Sequence, residues 1–391
     1  MRPDPDAHLR DWARSSFAMS RATKSAADAT VLVAGGGVAG VETMLALRAL
    51  AQERVAIDLL APEPRFWYRP MAVAEPFASG EVVQVDLARL AQSCSAGFTI
   101  GELVAVDPER RLAVAASGLE LPYDQLVLAT GASPEPALQD ALTFRGPADV
   151  EAFDRVLLAL EQEGGRLVLA IPSGACWPLP AYELALQSAL RLSGRDAQVA
   201  LVTPERRPLA VFGEAAAGAV EALLDERGVE LHAGRRPVAA RAGAVELSSG
   251  DRLRYDRLVA VPRLRPRVIE GVPADAEGFV ATDEHGRVLG LDRVYAAGDV
   301  TSFPVKQGGI AAQQADAVAE AIAAAVGAPV TPHPFRPILR ALLLTGSTPL
   351  YLRAELGAGE AVSSVDMEPL WWPPTKIVGR YLDDALALRS R

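Results

Sequence analysis

Residues 31–42 read VLVAGGGVAGVE: an apolar run from Val31 to Ala34 enters a glycine cluster and leaves through a segment with helical spacing. Two periodicities meet there. Val31 to Ala34 has the unbroken apolar character of a buried parallel strand, and over 38–52 the residues Val38, Val41, Leu45 and Ala49 fall on one helical stripe. Gly35 permits the tight turn, Gly37 lets the backbone approach a pyrophosphate, and Gly40 lets helix and strand pack closely. The phosphates then rest on the helix N-terminus, where bare N–H groups and the macrodipole favour anions. Glycine spacing alone recurs in many α/β domains. The strand–turn–helix context, with VYAAGDV at 294–300, is what points to a dinucleotide.

With 391 residues the chain is too long for one core and divides into two or three domains. Half of it is apolar. Lys and Arg number 39 against 49 Asp and Glu, and a net charge of -10 repels a phosphate backbone, so nucleic acid is not an expected partner. Arg235, Arg236, Arg263, Arg265 and Arg267 read as solvated charges in loops. The two cysteines, Cys94 and Cys176, have neither metal-ligand nor CxxC spacing, so no metal is expected. Sparse cysteine fits a reducing compartment, and the cytoplasm is the expected location. Residues 1–29 hold no apolar stretch of signal-peptide length, and no segment reaches the ~20 apolar residues of a spanning helix. The expectation is a soluble or weakly peripheral protein with a mobile N-terminal segment.

Arg54 to Leu60 reads as a second strand, followed by the loop RFWYRP, and 81–130 as a helix and several strands. SGLELPYDQLVLATGASP at 117–134 then returns as SSGDRLRYDRLVAVPRLRP at 248–266 with a constant offset of 132. Gly118 matches Gly250, Tyr123 matches Tyr255, Asp124 matches Asp256, Leu126 matches Leu258, Val127 matches Val259, and Pro134 matches Pro266. Matches in register at that spacing imply two related nucleotide-binding units. The second runs through strand Arg166 to Ala170, helix Ala181 to Leu192, strand Gln198 to Val202 and helix Glu214 to Glu226, closing near residue 270. Alternation of strands and helices predicts parallel sheets.

This plan, with GGGVAG, LVLATGA and AAGDV in order over about residues 30–330, resembles the FAD-dependent pyridine nucleotide oxidoreductases with two dinucleotide-binding domains. It looks most like the branch containing type II NADH dehydrogenases and sulfide:quinone oxidoreductases. The resemblance implies an α/β fold of two Rossmann-like domains, the second inserted in the first, plus a small C-terminal domain. The implied division is a mobile segment 1–29, a discontinuous FAD-binding domain (30–150 and 285–330), an NAD(P)-binding-like domain (151–284), and a capping or interface domain (331–391). FAD is the implied cofactor, its pyrophosphate on Gly35, Gly37 and Gly40. Thr130 and Gly131 match the segment that passes the flavin nucleotide, and Asp299 matches the aspartate that hydrogen-bonds the ribityl or pyrophosphate region, with Gly298 giving it room. The helix Gly309 to Val326 makes Lys306 to Gly309, including Gly309, candidate flavin contacts, although Lys306 alone also reads as a surface charge. Ala61 stands where a ribose-binding acid is expected, and Glu63, two residues on, is the candidate substitute.

The second unit lacks a short glycine loop. Eight positions separate Ala34 from Glu42, whereas thirteen separate Ala170 from Glu183, and the insert carries Pro172, Pro178 and Pro180, which have no backbone donor for a pyrophosphate. Thr130 and Gly131 align with Pro262 and Arg263, so ordinary NADH binding there is not expected. GACWPLPAYEL resembles the sulfide:quinone oxidoreductase segment in which a cysteine precedes PAYE. Cys176, however, lies four residues before Pro180 rather than the family's three, and no cysteine follows it. Cys176 is the one catalytic candidate, against a reading as a small buried residue; a lone thiol cannot relay electrons by itself.

From Thr331 onward, HPFRPILRALLLTG, LYLRAEL and PLWWPPTKIVGRYL resemble the family's C-terminal domain, which covers the flavin and forms a quinone site or dimer contact. The tip Trp371 to Pro374 caps the pocket, touches a membrane surface or fills core, core being the default for adjacent aromatics. The leading expectation is an FAD-dependent oxidoreductase passing two electrons to a quinone or other small acceptor, with the donor open. Its rivals are an NAD(P)H dehydrogenase with an unusual nicotinamide site and a non-catalytic flavin-binding redox sensor. Expected partners are a small-molecule donor and acceptor, with a homodimer among the options.

Overall fold

The computed structural model describes residues 27–174, 177–357 and 362–387. Cys176 and all but the end of the N-terminal segment 1–29 lie outside the described residues. Ten strands build two parallel sheets: β1 (Ala29–Ala34), β2 (Val55–Ala61), β3 (Gly97–Ile100), β4 (Gln125–Leu128), β5 (Leu142–Thr143), β6 (Gly165–Ala170), β7 (Ala197–Val202), β8 (Glu230–His232), β9 (Arg257–Ala260) and β10 (Val294–Ala296). The first sheet has the order β10-β4-β1-β2-β3 and the second β5-β9-β6-β7-β8, every neighbour parallel. The mixed α/β class with parallel sheets is therefore as expected. β5 precedes the second unit in sequence yet pairs with β9. The segment around Ile269 and Val280 packs instead with Leu32 and Leu126 of the first unit.

Among the described residues, seven helices cover these sheets and the C-terminal segment: α1 (Val38–Ala51), α2 (Leu87–Ser93), α3 (Val150–Glu163), α4 (Leu179–Arg191), α5 (Glu214–Glu226), α6 (Gly308–Ala325) and α7 (Leu382–Ala387). The stripe expected on α1 is not its buried face. Val41 is buried, but Ala49 is exposed, while Ala39, Glu42, Thr43, Met44, Ala46 and Leu47 are all buried. The reason is that α1 lies between the first sheet and α6, whose small residues Ala311, Ala315 and Ala319 share its core, so most of its circumference leaves water. Helix α4 starts at Leu179, two residues before the expected Ala181, because Pro178 and Pro180 suit a helix's first turn.

The internal repeat is visible as repeated hydrogen bonding. The Thr30 N–H donates to Asp124 Oδ2 at 2.8 Å, and the Arg166 N–H to Asp256 Oδ2 at 2.7 Å, each tying the first strand of a unit to the entry of its fourth. Gly118 and Gly250 open the equivalent turns at φ +81° and +90°. Each unit also carries a three-stranded antiparallel sheet, Leu103–Asp107, Leu112–Ala115 and Glu120–Pro122 in the first, and Pro237–Arg241, Ala244–Leu247 and Arg252–Arg254 in the second. Strands Ala132–Glu135 and Arg263–Pro266 pair antiparallel and link the two. Arg263 and Arg265 thus lie on a strand rather than in loops, and Arg263 Nε donates to the Ser173 carbonyl at 2.8 Å.

The C-terminal strands Ile338–Leu343, Leu350–Glu355 and Ser363–Asp366 form an antiparallel sheet. Its inward residues Leu339, Leu343 and Leu352 join Leu184 and Phe212 in the second unit's core, each such side chain contributing roughly 1.5–3 kcal/mol by burial. The default core reading fails for Trp372, which is 84% exposed. Trp371 is half-buried, edge-on to Tyr351 with ring centroids 5.1 Å apart.

Candidate functional site

The end of β1 forms the floor of a cleft of about 480 Å³. Gly35 has φ +133°, and a Cβ there would lie 1.9 Å from the Ala129 carbonyl oxygen; a Cβ on Gly40 would lie 1.8 Å from the Gly35 oxygen. No side chain fits either place. Gly37 differs, since nothing lies within 4 Å of the place a Cβ would take and its backbone faces the cleft. The first N–H groups of α1 have no intrahelical acceptor, and Gly37 precedes that turn.

From there the cleft runs past Glu63, Thr130 and Gly131 to Gly298, Asp299 and Gly308. Of the expected residues, Gly35, Gly37, Glu63, Thr130, Gly131, Gly298 and Asp299 line it; Gly40 lies behind the turn and Gly309 behind Gly308. Glu63 stands exposed at the rim, two residues beyond β2. Gly298 adopts φ +84° and donates its N–H to Gln314 Oε1 of α6 at 2.7 Å, fixing the turn that presents Asp299. Burial holds the Asp299 carboxyl above its usual range, opposed by the nearby Lys306 and Arg69 charges. Lys306 is buried rather than a surface charge, with its ammonium 3.9 Å above the Phe279 ring centre and bonded to the Thr301 carbonyl.

A second cavity of about 270 Å³ shares Arg69, Pro70, Asp299, Gly308 and Ile377 with the first. Its walls are largely apolar, from Phe144, Trp177, Leu179, Val261 and Leu264. Among them sits a buried ion pair: Lys376 Nζ lies 2.7 Å from both Glu183 oxygens and donates to the Pro70 carbonyl at 3.1 Å. Burial lifts the Glu183 carboxyl and depresses the Lys376 ammonium, and each charge opposes the other's shift. Sequence reasoning missed this pair. A single glutamate inside the apolar run LPAYELAL was the available signal.

The second unit's own strand ends carry large aromatic side chains. Trp177 packs edge-on to Phe212 with ring centroids 6.0 Å apart. Glu205, three residues past β7, accepts from the fully buried Tyr182 hydroxyl at 2.7 Å and is kept above the usual carboxylate range by burial. Among the described residues no group of three or more His, Cys, Asp or Glu is placed to hold a metal, and no helix is long and apolar enough to cross a membrane.

A family model for pyridine nucleotide-disulphide oxidoreductases matches residues 29–325. The chain belongs to that family. It is an FAD-dependent oxidoreductase. It is 28% identical over 298 residues to an NADH dehydrogenase-like protein of Mycobacterium tuberculosis, covering 70% of this chain and 72% of that one. It is 29% identical over 215 residues to the sulfide-quinone reductase of Aquifex aeolicus, covering 51% of this chain and 49% of the relative. The fold is similar to that of the solved sulfide:quinone oxidoreductase from Aquifex aeolicus, with a TM-score of 0.77 at 20% identity, covering 86% of this chain and 87% of the other. The residues of the first cleft fit FAD: a bare glycine turn before a helix N-terminus, a rim carboxylate and a second glycine turn presenting an acid.

Proposed function

We propose that electrons leave this oxidoreductase to a quinone or another small apolar acceptor held in the second cavity. The carrying observation is that this cavity meets the first at Asp299 and Gly308 and combines apolar walls with the Glu183–Lys376 pair. FAD, when bound, supplies the two-electron chemistry. In this reading Gly35, Gly37 and the first turn of α1 hold its pyrophosphate, with Gly40 supporting the turn. Glu63 takes the ribose, Thr130, Gly131, Gly298 and Asp299 line its path, and Gly309, in the first turn of α6, is a candidate flavin contact. The division into an FAD domain (30–150 and 285–330), an inserted domain (151–284) and a C-terminal cap (331–391) accompanies it.

The chain's residues then have defined tasks. Phe144, Trp177 and Leu264 exclude water and hold an apolar ring. By giving up its bond to the Pro70 carbonyl, Lys376 Nζ can pass one proton to an acceptor oxygen; the second proton, and the one that restores the ammonium beside Glu183, come from solvent, and the cofactor, when bound, supplies the electrons. Reduction of a quinone consumes protons, so a buried donor beside the acceptor matches that demand. The second reading, NAD(P)H as donor at the second unit, is favoured by its intact sheet but opposed by the aromatic contacts of Trp177 with Phe212 and of Tyr182 with Glu205 beside its strand ends.

The test is anaerobic stopped-flow. The FAD-loaded, chemically reduced protein is mixed with a short-chain ubiquinone analogue, and rapid return of the oxidised flavin band is expected. Reoxidation no faster than in buffer, at saturating quinone, would remove the acceptor assignment.

A further inference from the structure

We propose that Glu42 and Asp316 are positioning residues, forming a proton-dependent latch that holds the C-terminal strap 375–382 across both cavities. The strap is gripped at two ends. At one end Lys376 meets Glu183 of α4, and the Ile377 N–H donates to the Tyr68 hydroxyl at 2.8 Å. The Ile377 side chain covers Gly308, where a Cβ would come within 2.7 Å of it. At the other end the Tyr381 and Leu382 N–H groups donate to the two oxygens of Glu42 at 2.9 and 2.7 Å. Glu42 and Glu183 are 0% and 1% exposed, and each lies on the first helix of its unit. The two units therefore clamp one strap with equivalent carboxylates.

Glu42 does not act alone. The Asp316 carboxyl, from α6, faces it, and Asp316 Oδ1 is sealed from solvent with no hydrogen-bond partner among the described residues. Two carboxyls buried in contact cannot both ionise cheaply and share a proton. With that proton on Asp316, Glu42 stays a charged acceptor for the strap amides. Burial and the Glu42 charge push Asp316 up to about 8, with Arg380 opposing and Glu320 adding to the rise. The other groups facing the pair are Tyr381 and Asp383 of the C-terminal segment, the latter pushed up to about 6 by its own burial. Tyr68 faces the strap from the first unit, and His333 sits on Glu320. Because the folded value of Asp316 lies above the ~3.9 of a free aspartate, its contribution to docking is complete below that pH and is lost as pH rises through about 8.

Limited proteolysis of the FAD-loaded full chain tests this. Tryptic cleavage at Arg380 is measured at pH 7 and pH 9 and normalised to a free peptide of the strap sequence. The wild type is expected to open more at pH 9, by up to about tenfold. Asp316→Asn, whose amide still donates to Glu42, is expected to be flat across this range. Glu42→Gln is expected to be cut faster at pH 7 with an unchanged flavin spectrum; if it fails to fold, the Asp316→Asn comparison carries the test. No rise in the wild type overturns the latch. An equal rise in Asp316→Asn also overturns it, by assigning the effect to another group such as Lys376. The latch's consequence for turnover rests on the acceptor-site reading above, but docking does not: loss of quinone reoxidation with normal strap protection would count against that reading alone.

Discussion

The first and second units share a sheet order and the same loop after their second strand, yet they treat that loop's glutamate in opposite ways. β1 meets β2 with Ala34 beside Leu60, and β6 meets β7 with Ala170 beside Val202. This register aligns Ala61-Pro62-Glu63 with Thr203-Pro204-Glu205. Glu63 stands exposed on the rim of the first cleft, while Glu205 is turned inward onto Tyr182. The loop after the first strand diverges in parallel, bare glycine in one unit and a proline- and tryptophan-bearing insert in the other. Scaffold and site are thus separable. The repeat preserves the strands and their aspartate staples, while the residues around the strand ends differ between the units.

The sharpest way to break this comparison is Gly40→Ala. Its Cβ would overlap the Gly35 carbonyl, so the protein is expected to purify without flavin absorbance. Gly174→Ala, in the second unit's loop at φ +81°, would place its Cβ no closer than 4.0 Å to the Arg263 side chain. It is expected to keep its flavin and lose only about 1–3 kcal/mol to backbone strain. Next in size is Lys376→Met, which leaves Glu183 charged and unpaired in the core. Chemical denaturation should give a loss of about 3–5 kcal/mol, largely recovered in the Glu183→Gln/Lys376→Met double variant.

Tyr182→Phe removes the donor that holds Glu205 inward. A loss of about 1–3 kcal/mol is expected, with no gain of NADH affinity because the loop insert remains. The smallest expected effect is Glu63→Ala. It should weaken FAD binding about tenfold in equilibrium dialysis, while the apoprotein's stability moves by less than about 0.5 kcal/mol.

What was readable in the sequence follows the range of the interaction. The glycine turn, the alternation of strands and helices and the repeated Tyr-Asp entry to the fourth strand are local, so spacing alone exposed them. The Glu183–Lys376 pair and the Glu42 contact to Tyr381 join residues 193 and 339 positions apart, which no local pattern reports. Their one sequence trace is a lone acid within an apolar helix. The α1 stripe misled because periodicity assumes a single buried face, and α6 covers another. Trp372 misled because adjacency of aromatics says nothing about which of the two turns inward.

Whether only the first unit holds a dinucleotide, as proposed, is decided by calorimetric titration of the FAD-loaded protein with NADH and NADPH. No saturable binding of either is expected at millimolar concentration. Stoichiometric binding of either with micromolar affinity, abolished by substitutions between 172 and 178, would contradict the proposal.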